Sequence, residues 1–248
     1  MQYFESDGLT LAYRIEGEGT PILLVHGFAS THKVNWIATS WSRTLIDAGH
    51  RVIMFDGRGH GASDKPHDRA AYSLDAMADD VVALLDHLGE PGVDLMGYSM
   101  GGMVSLVAAA TYPDRFDRVI AAGVGERLLD KGKGSRDVVE ALLAGDPSAI
   151  ADPAARLFRD FADQNGQDRV ALAACFAAVR EDFPEEMLAD IVSPVLIVAG
   201  ETDEAAGAPE PLAARIRNAR AVVVPKRDHM KTVGDRAYKD AVLRFLTE

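Results

Sequence analysis

An apolar run and a helix-forming run meet at the pentapeptide Gly97-Tyr98-Ser99-Met100-Gly101. Residues 93–96 before it have the composition of a buried strand, and residues 103–110 after it favour a helix. A G-x-S-x-G elbow of this kind holds its serine in a strained turn, and its glycines remove side chains that would collide as strand and helix close together. The sequence therefore predicts that the Ser99 hydroxyl projects from a sheet beside the N-terminus of a helix.

Strand-like and helix-like runs alternate on both sides of this elbow. A hairpin is predicted from residues 3–5 and 9–15, and further apolar runs have the length of buried strands, at residues 22–25, 51–55, 118–123, 195–200 and 221–224. Runs with helical spacing cover residues 36–48, 74–88, 210–217 and 235–246. Ser73 is a good N-cap for the second of these, and Gly89 ends it. The pattern predicts an α/β fold with a mostly parallel central sheet flanked by helices.

The alternation stops between residues 126 and 190. Helical segments follow one another there without a convincing strand, at residues 135–143, 153–162, 168–180 and about 184–188. Asp152-Pro153 has the pattern of a helix start. We therefore expect a core domain of residues 1–125 and 191–248, with residues 126–190 as a helical insertion.

Composition argues against several classes of function. The 248 residues carry a formal net charge of −12, whereas binding to nucleic acids or anionic membranes needs clustered Lys and Arg. No apolar run approaches the ~20 residues of a membrane span, and no signal-peptide pattern follows Met1, so we expect a cytoplasmic protein without membrane insertion. The only cysteine, Cys175, excludes an intramolecular disulfide and is expected to be a small buried apolar residue.

The histidines do not have the spacing of a metal site, and no metal is expected. We expect His26 and His60 to hydrogen-bond loop backbone. The other histidines outside the candidate site, His32, His50, His67 and His87, are expected to be solvated. Asp79-Asp80 is expected to form an exposed helix face.

A serine hydroxyl needs an adjacent base, and the base needs a group that fixes its tautomer. Loops at the carboxyl ends of parallel strands converge on one edge of a sheet. His229 follows the last predicted strand and is our candidate base. Asp203 follows the strand before it and is our candidate acid, in the order Ser, Asp, His that G-x-S-x-G enzymes use. Other acids stay open as alternatives, namely Glu126, Glu201 and Glu204.

The loop His26-Gly27-Phe28-Ala29-Ser30 directly follows the strand predicted to lie beside the elbow strand. Its expected role is to supply an oxyanion donor through the backbone N–H of Phe28, with the N–H of Met100 as the other donor.

These motifs together resemble the α/β-hydrolase fold over nearly the whole chain. The segments that carry the resemblance are His26-Gly27-Phe28, residues 56–63, residues 97–102, Gly200-Glu201-Thr202-Asp203 and Asp228-His229. The resemblance implies a triad of Ser99, Asp203 and His229, an oxyanion hole at Phe28 and Met100, a helical cap over the pocket and no cofactor. Serine at position 99 excludes the branches that use an aspartate nucleophile. Gly57 departs from the family, where many members carry a larger residue.

The resemblance and the constellation point to a serine hydrolase that cleaves small or medium carboxylic esters, including aliphatic polyester fragments, through an acyl-enzyme. The partner expected is therefore a small-molecule ester substrate. Phe158 and Phe161 belong to apolar stripes of the insertion, and we hypothesise that they line an acyl pocket. The same triad serves lactonases, thioesterases, C–C hydrolases and perhydrolases, with lactonase as the nearest alternative. A ligand sensor with slow turnover is an alternative from another class.

Overall fold

The computed structural model describes residues 1–130, 136–179 and 183–248, and its centre is an eight-stranded sheet. The strands are β1 (Gln2–Ser6), β2 (Leu9–Glu16), β3 (Thr20–Val25), β4 (His50–Phe55), β5 (Val93–Tyr98), β6 (Phe116–Ala122), β7 (Val195–Gly200) and β8 (Ala219–Val224). Their order across the sheet is β1-β2-β4-β3-β5-β6-β7-β8. β2 pairs antiparallel with β1 and β4, and every other neighbouring pair is parallel. The predicted mostly parallel sheet is confirmed.

Helices cover both faces of this sheet. They are α1 (Trp41–Asp47), α2 (Leu74–Leu88), α3 (Met100–Thr111), α4 (Arg136–Leu143), α5 (Pro153–Gln164), α6 (Arg169–Val179), α7 (Glu210–Ala213), α8 (His229–Thr232) and α9 (Arg236–Leu246). One apolar layer joins the sheet to α2 and α3, and the other joins it to α1 and α9. None of the helices in the described ranges combines the length and the apolar composition that crossing a bilayer would require.

Side-chain caps lie at the starts of three helices, and two of them, Ser73 and Asp152, were predicted as caps. At the start of α2, Ser73 Oγ accepts a hydrogen bond from Ala76 N at 3.0 Å, and Gly89 ends the helix with a φ of +70°. Asp152 accepts a hydrogen bond at the start of α5, and Asp235 does so at the start of α9. Each cap satisfies a backbone N–H group that a helix start otherwise leaves without an acceptor.

The helix predicted over residues 36–48 is wrong in its first half. A wide helical turn, Lys33–Ile37, precedes α1, and Ser40 between them has a left-handed φ of +63°. Trp36 and Trp41 are both fully buried, yet residues five apart point about 140° away from each other on a regular helix. The break lets both indole rings enter the same apolar layer.

The helix predicted over residues 210–217 is also shorter than expected. α7 ends at Ala213, and the chain continues in tight turns. Arg215 N donates to Leu212 O at 3.1 Å, and Ile216 N donates to Ala213 O at 3.1 Å. These hydrogen bonds close shorter rings than α-helical ones do, so the regular helix does not extend.

The described residues between β6 and β7 form helices and turns and contain no strand. They include α4, α5 and α6, followed by a tight helical turn, Glu185–Asp190. Two predicted helix ends, Ser135 and Arg180, lie outside the described residues. Leu142 and Leu172 pack into the same apolar layer as α2 and α3. The insertion therefore shares a core with the sheet.

Asp80 is buried, although Asp79-Asp80 was predicted to form an exposed helix face. Asp79 is exposed, but Asp80 accepts hydrogen bonds from Arg58 Nε at 2.7 Å and from Arg58 Nη2 at 2.8 Å. Both side chains are only 1% exposed. A carboxylate is tolerated at such a position only with a charged, hydrogen-bonded partner. That partner comes from a loop 22 residues away, which the helix pattern alone does not reveal.

Asp94, on β5, is another buried carboxylate, at 2% exposure. Its Oδ1 has no hydrogen-bond partner in the described part of the chain, and Arg118 Nη1 lies 3.6 Å away. Burial raises the pKa of Asp94 from 3.8 to about 6. The folded chain therefore holds this proton more tightly than the unfolded chain does, and the resulting stabilisation is lost as the pH rises from 4 through 6.

We predict that Asp94→Asn becomes more stable than the parent chain as the pH rises. The difference in free energy of unfolding should grow by about 2–3 kcal/mol between pH 4 and pH 8, because the variant avoids ionising a buried group. Urea unfolding at several pH values measures this difference. Asp190→Asn, at an exposed site, is the control, and a difference for Asp94→Asn that is constant with pH would contradict the prediction.

Candidate active site

The backbone at the elbow leaves no room for a side chain at Gly97 or at Gly101. Ser99 has a φ of +55° and a ψ of −116°, outside the regions that non-glycine residues favour. A Cβ added at Gly97 would lie 2.0 Å from the Gly101 carbonyl oxygen, and one at Gly101 would lie 2.1 Å from the Val25 carbonyl oxygen. Ser99 N donates to Ala122 O at 2.7 Å, which holds the turn against β6. The two glycines are therefore required by backbone contact.

Ser99, His229 and Asp203 form a continuous hydrogen-bonded line. His229 Nε2 lies 2.9 Å from Ser99 Oγ, and His229 Nδ1 lies 2.8 Å and 3.0 Å from the two Asp203 carboxylate oxygens. The Asp203 side chain is fully buried, whereas 23% of the His229 side chain is exposed. In this arrangement Asp203 holds the proton on Nδ1, which leaves Nε2 able to accept the proton of the Ser99 hydroxyl.

Local structure explains how each member reaches this position. Ser99, Asp203 and His229 follow the carboxyl ends of β5, β7 and β8, which lie on one side of the sheet centre. Asp203 Oδ1 also accepts hydrogen bonds from Ala205 N at 3.1 Å and Ala206 N at 2.9 Å, so the loop after β7 fixes the carboxylate.

The other acids considered for the triad have different surroundings. Glu201 accepts a hydrogen bond from Lys226 N at 2.7 Å, and Glu204 is exposed. The Glu126 side chain lies beside Gly207, where an added Cβ would come 2.6 Å from its Cγ. Of the four acids considered, Asp203 is the one that the structure brings to His229.

The loop after β3 passes directly beside Ser99. A Cβ added at Gly27 would lie 3.4 Å from Ser99 Cβ. Gly27 N donates to Asn35 Oδ1 at 2.9 Å, which fixes the loop on its other side. Within the described ranges, the N–H groups of Phe28 and Met100 donate to no acceptor. Both groups are available to an anion that forms at the elbow.

Two buried histidines hold this loop. His26 Nε2 accepts from Gly57 N at 3.0 Å, and His60 Nε2 accepts from Ala29 N at 3.1 Å. Their Nδ1 atoms lie against backbone carbonyl oxygens, at 2.8 Å and 2.9 Å. Burial lowers both pKa values, that of His60 to about 3, so both rings are neutral at pH 7. The prediction that they hydrogen-bond loop backbone is confirmed.

His32 and His50 are buried, so the prediction that they are solvated is wrong. His32 Nδ1 lies 2.7 Å from Asp56 Oδ1, and Ala62 N donates to the other carboxylate oxygen at 2.9 Å. Burial alone would raise the pKa of Asp56, but the hydrogen bond and the charges around it lower that pKa to about 2. The Asp56 carboxylate therefore ties the loop after β4 to the loop after β3.

Three residues near the triad were not singled out by sequence reasoning. The Tyr98 hydroxyl donates to the His229 backbone carbonyl, and its ring centroid lies 5.5 Å from that of the imidazole. Asn35 lies just before the helix predicted over residues 36–48, outside every predicted element, and Gly123 is the last residue of the strand predicted over residues 118–123. A glycine at the end of a strand next to the elbow strand was the one available signal. The contacts of Tyr98 and Asn35 depend on distant segments.

Phe158 and Phe161 differ in how they relate to the loop of residues 26–30. The Phe158 ring centroid lies 5.8 Å from that of Phe28, so α5 reaches this loop. Phe161 is partly buried and packs against the larger apolar layer. Among the residues that the structure describes, no group of three or more His, Cys, Asp or Glu side chains is arranged to hold a metal ion.

Comparison with known proteins agrees with this architecture. Residues 20–172 match the family model of the alpha/beta hydrolase fold. The chain is 31% identical over 233 residues to the dihydrolipoyllysine-residue acetyltransferase component of the acetoin cleaving system from Pseudomonas putida. That match covers 88% of this chain but 61% of the relative's own length.

Two solved structures are similar over the whole chain. A hydrolase from Pseudomonas aeruginosa PA01 has a TM-score of 0.82 at 30% identity, covering 100% of this chain and 98% of the other. The enol-lactonase from Burkholderia xenovorans LB400 has a TM-score of 0.83 at 25% identity, covering 100% of both chains. The chain belongs to the α/β-hydrolase family.

We predict that Gly123→Ala slows the reaction of Ser99, although its loss of stability is no larger than that of the same substitution at a glycine far from the site. Gly123 has a φ of +66°, and an added Cβ would lie 3.1 Å from Ser99 N and 3.2 Å from His229 Cε1. A displacement of about 1 Å at a reacting group lowers the reaction rate about 10²-fold. A shift of a few tenths of an ångström should therefore slow the labelling of Ser99 by a fluorophosphonate about 10-fold.

Gly89→Ala is the matched control for this variant. Gly89 has a φ of +70°, but nothing lies within 4 Å of an added Cβ. Both variants should lose about 1–2 kcal/mol of stability from the left-handed backbone. Equal labelling rates for the two variants would show that the site tolerates a methyl group at position 123.

Proposed function

We propose that this α/β hydrolase cleaves carboxylic esters through a covalent acyl-enzyme. The observation that carries the proposal is the hydrogen-bonded line from Asp203 through His229 to Ser99. Ser99 Oγ attacks the ester carbonyl carbon while His229 Nε2 takes the hydroxyl proton. His229 then returns that proton to the leaving alkoxide, and the C–O bond of the ester breaks.

Water completes the reaction in the second half of the cycle. His229 accepts a proton from water, the resulting hydroxide attacks the acyl carbon, and the proton returns to Ser99 as the carboxylic acid leaves. Negative charge develops on the carbonyl oxygen in both halves. We assign the stabilisation of this negative charge to the N–H groups of Phe28 and Met100, which donate to no other acceptor within the described part of the chain.

We propose that the helical insertion of residues 126–190 is a cap that shapes the acyl side of the pocket. The contact between the Phe158 and Phe28 rings supports this role, because it brings α5 to the loop of residues 26–30, which carries the proposed donor Phe28. Apolar aromatic surface at this position favours neutral acyl groups of small or medium size.

Lactone hydrolysis is the second candidate function. It is favoured by the likeness, over the full length of both chains, to the enol-lactonase from Burkholderia xenovorans LB400. A lactone is an internal ester, so the same attack by Ser99 opens its ring and the alcohol stays joined to the acyl group. A panel of short p-nitrophenyl esters, lactones, thioesters and an aliphatic polyester separates the candidates by kcat/KM.

We predict that Ser99→Ala and His229→Ala each lower ester turnover by about 10⁴-fold or more, because the nucleophile and its base act as a unit. Initial rates with p-nitrophenyl acetate measure the loss. His87→Ala, at an exposed position, is the control and should keep parental turnover. Retention of wild-type turnover in His229→Ala would mean that another group is the base. Tight ligand binding with negligible wild-type turnover would favour a sensor.

We predict that Phe158→Ala or Phe161→Ala shifts acyl-chain preference. Removal of a pocket ring should raise the ratio of kcat/KM for the octanoyl p-nitrophenyl ester to kcat/KM for the acetyl ester several-fold. The reason is that each methylene group buried in the enlarged pocket adds about 0.8 kcal/mol of binding free energy. Leu157→Ala is the matched control, because Leu157 lies on α5 next to Phe158 but is 69% exposed. Unchanged ratios across the acyl series would remove the pocket assignment.

A further inference from the structure

The residues proposed as the two oxyanion donors pack their side chains against the same helix, α6. The Phe28 ring centroid lies 4.9 Å from that of Phe176, with the planes at 62°. Met100 Sδ lies 3.9 Å from Cys175 Sγ. These four side chains are at most 8% exposed. Two consecutive residues of the insertion therefore contact both donors of a site that otherwise belongs to the sheet.

The Phe28 side chain is enclosed on several sides. Besides Phe176, its ring meets Phe158 of α5 at 5.8 Å and His60 at 5.8 Å, and Phe158 in turn meets Phe176 at 5.5 Å. Aromatic pairs at these separations contribute beyond the area they bury and prefer defined angles. The direction of the Phe28 ring is therefore set jointly by the core loop and by both helices.

The Cys175 thiol donates a weak hydrogen bond to Met100 Sδ and is otherwise packed as an apolar group. Its side chain is fully buried, and burial raises the pKa of the thiol, so the sulfur stays protonated at neutral pH. A neutral, buried thiol packs like a small hydrophobic residue and does not serve as a nucleophile. Its contact with Met100 lies at the first residue of α3, next to Ser99.

Backbone strain explains why packing on the Phe28 side chain would matter to its N–H group. Ala29, the next residue, has a φ of +56°, which a non-glycine residue adopts only when its surroundings enforce it. His60 enforces it from one side by accepting the Ala29 N–H. Phe176 restrains the neighbouring side chain from the other side. Loss of either restraint allows the strained loop to relax and the N–H of Phe28 to turn.

We infer that α6 supports the oxyanion hole, with Phe176 and Cys175 as positioning residues that act through Phe28 and Met100. The inference rests on the proposed function and assigns different roles to two helices of the insertion. α5 contributes the acyl side of the pocket and one ring against Phe28, whereas α6 contacts both Phe28 and Met100 and so supports both donors. Changes on α6 should therefore lower kcat and leave KM nearly unchanged.

The test compares Phe176→Leu with Phe245→Leu. Phe245 is a buried phenylalanine in the apolar layer on the other face of the sheet, so its replacement removes the same atoms away from the site. Loss of a whole oxyanion donor costs about 10²–10³ in kcat, so a displaced donor in Phe176→Leu should lower kcat about 10-fold. KM should stay within about 2-fold, and Phe245→Leu should keep parental kcat at a similar loss of melting temperature.

Binding of an aryl trifluoromethyl ketone provides a readout that a structural defect alone would not change. This ketone adds to Ser99 and places an oxyanion in the hole, whereas the corresponding alcohol cannot form the adduct. For Phe176→Leu the Ki of the ketone should rise by the same factor as kcat/KM falls, with the Ki of the alcohol unchanged. Equal changes in both Ki values, or equal kcat losses in Phe176→Leu and Phe245→Leu, would overturn the inference.

Cys175→Ala tests the same support through Met100 without disturbing the aromatic contacts. It should lower kcat several-fold at constant KM, and parental kcat in this variant would remove Cys175 from the assignment. If the proposed function were wrong, the wild-type chain would show no ester or lactone turnover that depends on Ser99. If the wild-type chain turned over these substrates but the α6 variants kept parental kcat, the inference about α6 would be wrong and the proposed function would stand.

Discussion

Close backbone contact at the turn of residues 97–101 determines how the segments around Ser99 are arranged. β3, β5 and the start of α3 approach so closely that a methyl group at Gly97 or Gly101 would overlap carbonyl oxygens. This approach keeps Ser99 in a conformation that the chain would otherwise avoid. It also brings the loop after β3, with Phe28, beside Ser99. The strain at one residue is therefore sustained by the packing of three segments from different parts of the chain.

Buried polar groups hold the loops around the elbow in place. His26 and His60 are neutral and bond backbone groups, while Asp56 with His32 and Asp80 with Arg58 form buried charged contacts. Such groups are costly to bury unless every bond is made, so each one specifies a single arrangement of its loop. The loops after β3 and β4 are fixed in this way without regular secondary structure. Their rigidity gives the N–H groups near Ser99 a defined direction.

The insertion has a closer relation to the site than its position in the chain indicates. Its helices contribute Leu142, Leu172 and Phe176 to the same apolar layer as α2 and α3. A segment that only covered a pocket would need few buried contacts with the sheet. The packing of Phe176 on Phe28 instead links α6 to the loop after β3. The insertion therefore contacts the loop beside Ser99 as well as the helices that pack on the sheet.

Local periodicity, cap residues and chain order were enough to predict the parallel sheet, most of the helices, the elbow, and the candidate residues Ser99, Asp203 and His229. The folded structure was needed to show that Asp80 pairs with Arg58, that the helix predicted over residues 36–48 breaks at Ser40, and that Asp203 is the acid that meets His229. These outcomes depend on partners that are remote in the chain, or on the burial of both Trp36 and Trp41 in the same apolar layer. Local patterns describe what a segment can bury, but its partners are set only when the distant segments pack together.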